Sequence, residues 1–415
     1  MQITIFGIIW TIILVCSSIS NSTRTLLFFT LLSMIFQCNN ILSIGGIGIG
    51  VQIFTVSFTV VRFLLLRAKK LKYRAVSIVT GILFMLLFAI VISLIYNASF
   101  ESINIIGFLM IAVYFVFAVI ITKKKINIDY KWLEHAENII IVFVLVIGAF
   151  QVFSKLGFSL FDGFLRTFIY NDIDNSNVIF NYKSSTAFYS TFMEPSYCGA
   201  FLVAAFSSVI TRRDINIKNI VLSGCLIIAI LLTRSSTAFG GLAIMLCMLW
   251  FVRSKKKIYK LFIPIFIITL IWMFTFNIEI LNQVIFKKIG SKGSFSVRSN
   301  WNQLALRAFY QSPLTGIGFK NVRASSIYIS LLGEIGILGI VPYSIMIIHS
   351  VIEFIEKKTA ELVKSKYLFV FSIIVCQIIA CPDLNFSPFW LGIYLLLLSM
   401  RCETNIVVNN GGGQV

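Results

Sequence analysis

Apolar residues fall along this chain in long blocks separated by short polar connectors. The blocks lie near 3–19, 25–43, 46–66, 75–96, 104–122, 138–154, 188–210, 218–233, 236–252, 260–276, 326–351, 367–381 and 386–400. A helix needs about 20 apolar residues to cross the hydrocarbon core of a bilayer. The pattern therefore predicts an all-α, polytopic transmembrane helix bundle. The first block and the last two are short, which makes the expected number of spans about 12–13. No internal repeat is visible, and that weakens a transporter built from inverted repeats.

Composition agrees with the pattern. Hydrophobic residues make up 58% of the 415 and charged residues 12%, with mean hydropathy +0.94, too few polar groups to cover a water-soluble surface. No large soluble domain is expected. The eight cysteines form no C-x-x-C pair, so neither a zinc site nor structural disulfides are expected. The stretch 1–20 lacks a basic leading region and is followed by another apolar block, which argues against a cleaved signal peptide.

Charge changes the picture. Lys and Arg number 35 against 16 acids, a formal charge of +19 that in a soluble protein would suggest nucleic acid. Here no nucleic-acid partner is expected, because cations alternate between connectors as the positive-inside rule requires. Arg67–Arg74, Lys123–Lys131, Arg212–Lys218, Arg253–Lys260 and Lys357–Lys366 mark the cytoplasmic connectors and place the N-terminus outside. The chain then divides into N-terminal helices (1–154), an outer loop (155–187), central helices (188–276), a large basic outer loop (277–325) and C-terminal helices with a short tail (326–415). The large loop carries Lys287, Lys288, Lys292, Arg298, Arg307, Lys320 and Arg323 against one acid, Glu279. Topology permits that excess without requiring it.

Within this loop, Trp301, Leu304, Ala305 and Ala308 recur at helical spacing, with Asn300, Gln303 and Arg307 on the other face and Ser299 or Asn300 as cap. An amphipathic helix at the outer interface is predicted. Two readings of Arg307 stay open, a ligand for a headgroup-level anion and a solvated cation. Glu194 opens Met193-Glu194-Pro195-Ser196-Tyr197 where a span begins, with Pro195 suited to the first turn. A carboxylate entering hydrocarbon is a candidate general base; the plainer reading is an acid on a helix dipole. Arg234, in the polar break Leu232-Thr233-Arg234-Ser235-Ser236-Thr237, can hold phosphate bidentately or simply snorkel.

Further along, Gly316 and Gly318 in Pro313-Leu314-Thr315-Gly316-Ile317-Gly318-Phe319 allow backbone N–H groups to approach an anion, with Lys320 and Arg323 beside them. A tight turn is the alternative. Asp172-Ile173-Asp174 has the form of a metal-binding acid pair and reads more simply as solvated loop acids. Glu334 lies just inside a span, able to pair with an outer arginine or line a cavity. His135 and His349, the two histidines, both fall on the cytoplasmic side, so none serves an outer site.

Together, "EPSY" at 194–197, "LTRSST" at 232–237, "SPLTGIGF" at 312–319 and "IYISLLGEIGILG" at 327–339 resemble the O-antigen polymerase and ligase superfamily. The motif resemblance covers about sixty residues, within a hydropathy profile that is similar throughout. It implies a GT-C-like membrane glycosyltransferase at the periplasmic face of the bacterial inner membrane. Such an enzyme transfers glycan from undecaprenyl pyrophosphate to an acceptor hydroxyl and needs no cofactor. It implies pyrophosphate-holding roles for Arg298 and Arg307, and Arg307 to Gly318 is similar to an arginine–glycine spacing of some polymerases. Ligases carry a His-Asn pair where this chain has Ser325-Ser326, which favours polymerase over ligase.

The expectation is therefore a repeat-unit polymerase. Glu194, Arg298 and Arg307 are its catalytic residues, and Arg234, Arg323, Lys320, Gly316, Gly318 and Glu334 bind substrate. Its partners are the lipid-linked oligosaccharide and membrane lipids, with a chain-length regulator left open. A ligase, a lipid-linked oligosaccharide flippase and a non-enzymatic scaffold are the rivals.

Overall fold

The computed structural model describes residues 2–20, 22–44, 47–65, 77–124, 126, 128–171, 187–212, 216–253, 292–356 and 359–411. Among them the chain forms fourteen helices and one small sheet. The helices are α1 (Ile5–Ile19), α2 (Thr23–Ser33), α3 (Val51–Leu65), α4 (Ile78–Tyr96), α5 (Ser102–Lys123), α6 (Tyr130–Lys155) and α7 (Ser159–Phe168). There follow α8 (Pro195–Ile210), α9 (Ile217–Thr233), α10 (Ser236–Arg253), α11 (Lys292–Gln311), α12 (Ile327–Ile355), α13 (Glu361–Ala380) and α14 (Ser387–Gly411). The molecule is a helical membrane protein. Five helices, α4, α5, α6, α12 and α13, are long and apolar enough to cross a bilayer, and seven shorter helices are apolar. The block at 260–276 lies outside the described residues.

Burial sorts these helices. Along α13 the side chains from Ser365 to Ile378 are buried, and along α14 those from Phe389 to Ser399. Both are apolar all round, which suits helices enclosed by others. The outer helices instead leave large apolar side chains exposed, among them Phe84 and Phe88 of α4, Val142 and Val146 of α6 and Ile348 and Ile352 of α12. Outward apolar faces of this kind match a lipid surround. Small residues set the closest approaches. A Cβ at Gly199 would stand 2.5 Å from the Ala238 Cβ, and one at Gly241 2.4 Å from Cys376 Sγ. These two contacts draw α8 and α13 against α10.

Several expected elements are corrected. The blocks 25–43 and 46–66 are not single helices. α2 stops at Ser33, and an antiparallel sheet of β1 (Gln2–Ile3), β2 (Asn40–Ile44) and β3 (Ile47–Gly50) precedes α3. Ile-rich sequence punctuated by glycine suits strands, yet an apolar window scores it as span. An open sheet edge is excluded from hydrocarbon, so the sheet marks an end of the bundle. Ala187–Glu194 is not helical either. The loop 155–187 contains α7, an amphipathic helix closed by an Asp162–Arg166 pair at 2.8 Å. Finally, α11 begins at Lys292, well before the expected cap at Ser299 or Asn300. Its buried face is Asn302, Ala305 and Ala308, while Leu304 is 53% exposed.

Candidate active site

Glu194 owes its place to the segment before it. Ala187 and Phe188 are tied by Lys155 Nζ, which donates to Ala187 O at 3.0 Å, and by Phe188 N–H, which donates to Leu232 O at 3.0 Å. The Phe188 ring fills a notch at Gly148, where any Cβ would overlap it. Gln151 Oε1 accepts from the N–H groups of Tyr189 (3.0 Å) and Ser190 (3.1 Å), and Ser190 Oγ donates to Val144 O at 2.6 Å. The chain is thus fixed on both sides until Pro195 starts α8. Glu194 stands at that helix's N-cap with extended backbone (φ −140°, ψ 152°). Its side chain is exposed and accepts from Ser196 Oγ at 3.2 Å without capping the helix.

Around Glu194 the structure gathers part of the expected set. Glu194 and Arg298 both lie within electrostatic range of the Cys381 thiol, at the end of α13. Glu194, Arg323 and Asp383 lie likewise within range of the Tyr197 hydroxyl, one turn into α8. Arg323 is placed by stacking, its guanidinium carbon 4.8 Å from the centre of the Trp301 ring. Stacking leaves the in-plane N–H fork available to an anion. Trp301, read from sequence as part of an apolar stripe, therefore holds a cation. Asn302 secures the same segment, its Oδ1 accepting from Ser325 N–H (2.8 Å) and Ser325 Oγ (3.0 Å).

The glycine-rich segment serves a different end from the anion cradle expected of Gly316 and Gly318. α12 breaks at Gly336 (φ 66°, ψ −154°), which frees backbone groups inside a helix. The loop 313–318 takes them up. Ile317 and Gly318 N–H groups donate to Gly333 O (2.9 Å) and Glu334 O (3.1 Å), while Ile337 and Leu338 N–H groups donate to Pro313 O (2.9 Å) and Leu314 O (3.2 Å). Gly316 N–H is spent on Ser312 O at 2.9 Å. With these donors engaged and both glycines buried, none is left for a ligand. Glycine is needed for contact: a Cβ at Gly316 would lie 2.3 Å from Glu334 C, and one at Gly336 2.5 Å from Leu314 O. Glu334 pairs with no arginine among the described residues. Its carboxylate is buried and accepts from Ser330 Oγ (2.6 Å) and the Lys320 N–H (3.2 Å).

Arg234 caps α9 in a left-handed conformation (φ 51°) at the same end of the bundle, exposed. Arg307 is exposed on the face shared with Asn300 and Gln303, as expected, about 13 Å along α11 from Arg298. Asp172, Asp174, Lys287 and Lys288 lie outside the described residues. No group of three or more metal-ligating side chains occurs among the described residues.

Two charged groups escape a reading of sequence. One is Asp383, in the Cys381-Pro382-Asp383 turn between α13 and α14. Its signal is an acid in a connector too short to be a loop domain, the same logic that singles out Arg234. The other is a cluster at the opposite end of the bundle. Glu137 Oε2 meets Lys366 Nζ at 2.5 Å and Arg212 Nη2 at 2.6 Å, and Oε1 accepts from Ser208 Oγ at 2.8 Å. All three charged side chains are at most 4% exposed. Arg212 and Lys366, read as connector cations that set topology, are buried. Along α13, Lys366 and Cys381 are about 22 Å apart. No protein-family model and no curated protein sequence matches this chain.

Proposed function

We propose that this chain is a polysaccharide repeat-unit polymerase of the O-antigen kind. It would be a GT-C-like glycosyltransferase of the bacterial inner membrane with its site facing the periplasm. The observation that carries the reading is the exposed Glu194 carboxylate at the start of α8, within electrostatic range of Cys381 together with Arg298 and of Tyr197 together with Arg323. An exposed carboxylate beside exposed or half-exposed arginines matches the needs of transfer from a lipid pyrophosphate.

In that reaction an acceptor sugar hydroxyl attacks the anomeric carbon of the donor glycan. Glu194 accepts the hydroxyl proton as the new C–O bond forms. The bond from the anomeric carbon to the pyrophosphate oxygen breaks, and the departing lipid pyrophosphate keeps the electron pair. Arg298 and Arg323 stabilise the charge gathering there. Arg234 is a more distant phosphate ligand, and Arg307 stands too far along α11 from Arg298 to share the same pyrophosphate. Glu334, Gly316 and Gly318 shape the site through the α12 break.

Deleting the gene from a Gram-negative strain and resolving its lipopolysaccharide on a gel tests this. Core bearing a single repeat unit is the expected product. Bare core with accumulating lipid-linked polymer indicates a ligase instead, and an unchanged ladder contradicts both.

A further inference from the structure

Asp383 is the remaining charge of the site, and the proton-transfer scheme above does not use it. Its turn is held at several points. Asp383 O accepts from Gln377 Nε2 at 2.9 Å, and Gln377 Oε1 in turn accepts from Tyr343 OH at 3.0 Å. The carboxylate is oriented by the Asn385 N–H, which donates to Oδ1 at 2.9 Å, and by Lys320 Nζ at 4.0 Å from the same oxygen. Lys320 is itself fixed, with a left-handed backbone (φ 63°), its N–H on Glu334, and its side chain laid over Gly107, where a Cβ would come within 2.8 Å of it. With the Asn385 amide turned to satisfy both of its atoms, it accepts from Lys320 Nζ at 2.8 Å and donates to Gly107 O at 3.2 Å.

The result is a carboxylate held from one side and 41% exposed on the other. Its Oδ2 has no partner among the described residues. A second observation comes from below. The Tyr114 hydroxyl is fully buried, has no hydrogen-bond partner among the described residues, and lies within electrostatic reach of Asp383. A fixed carboxylate repels pyrophosphate and attracts hydroxyl donors. Arg298 and Arg323 offer the opposite chemistry beside it.

We infer that Asp383, positioned by Lys320, binds hydroxyl groups of the sugar substrate and so forms the saccharide subsite next to the pyrophosphate-binding arginines. This deepens the polymerase reading and rests on it. The test uses the full chain in lipid nanodiscs and two probes measured by calorimetry. The first probe is the repeat-unit oligosaccharide released from its lipid carrier by mild acid; the second is inorganic pyrophosphate. Asp383→Asn should weaken oligosaccharide binding at least about tenfold, the worth of one hydrogen bond to a charged group. Pyrophosphate binding by the same variant should be retained or tightened, since a repelling charge is removed, which also shows that it is folded. Lys320→Met should weaken the oligosaccharide in the same direction, and Lys320→Arg should restore part of it.

Unchanged oligosaccharide binding by Asp383→Asn overturns the inference. Equal loss of both probes also overturns it, since the role would then be structural. Wild-type protein that binds pyrophosphate but not oligosaccharide overturns the subsite alone. Wild-type protein that binds neither contradicts the functional reading as well.

Discussion

The two ends of this bundle use the same kinds of charged residue to opposite ends. Around Glu137 both carboxylate oxygens are engaged, by Lys366, Arg212 and Ser208, and the side chains are sealed from solvent. Around Glu194 the carboxylate has one hydrogen bond among the described residues, from Ser196, and its neighbours Arg323 and Asp383 are partly or well exposed. Desolvating an ion pair costs about as much as its attraction returns, so a sealed cluster chiefly fixes which helices meet. Here it joins α6, α13 and the chain just after α8. An open cluster fixes little and leaves its charges for a ligand. Exposure and unused hydrogen-bonding capacity, more than charge, separate the two roles.

That difference can be attacked by substitution. Glu194→Gln should lower polymerisation by about two to four orders of magnitude, the usual share of a general base, with thermal unfolding in detergent unchanged. Glu137→Ala should do the reverse. Leaving Arg212 and Lys366 buried against each other should cost about 3–5 kcal/mol of stability, read as a lowered melting temperature and yield. Activity per folded molecule should survive. If Glu137→Ala melts like wild type, the sealed cluster is not what joins those helices.

Smaller effects refine the open end. Gly336→Ala forces a residue with a Cβ into a positive-φ position against the Leu314 carbonyl, at a cost of about 1–3 kcal/mol. Because that break docks the loop carrying Lys320 and Arg323, binding of pyrophosphate should weaken along with stability. Arg307→Ala should have the least effect. It lies about 13 Å from Arg298 on an exposed face, beyond the roughly 8 Å over which solvent-exposed charges act at physiological salt. Pyrophosphate affinity in that variant should match wild type, whereas Arg298→Ala should weaken it clearly.

Much of this is legible in the amino-acid sequence. Membrane helices follow from apolar blocks because hydrocarbon tolerates little else; Glu194 stood out as a charge where a block begins, and Arg298 and Arg323 as part of a basic loop that topology does not require. What hid from sequence was contact between distant segments. The strands at 40–50 share their apolar composition with a span, and their pairing with each other and with Gln2–Ile3 distinguishes them. The glycines at 316 and 318 looked ready for an anion because the broken helix that consumes their neighbourhood's N–H groups lies some 20 residues on, at Gly336. Glu137 sat one residue outside an apolar block, yet its spacing with Leu133, Ala136, Ile140 and Ile141 places it on the buried face of α6.

The most direct measurement is polymerisation by purified protein in nanodiscs, supplied with lipid-pyrophosphate-linked repeat units and followed by product length. Wild-type protein should build a ladder and release lipid pyrophosphate. Glu194→Gln and Arg298→Ala should leave single repeats while melting as wild type does. A ladder of normal length and rate from Glu194→Gln, or none from the wild type, would contradict the account.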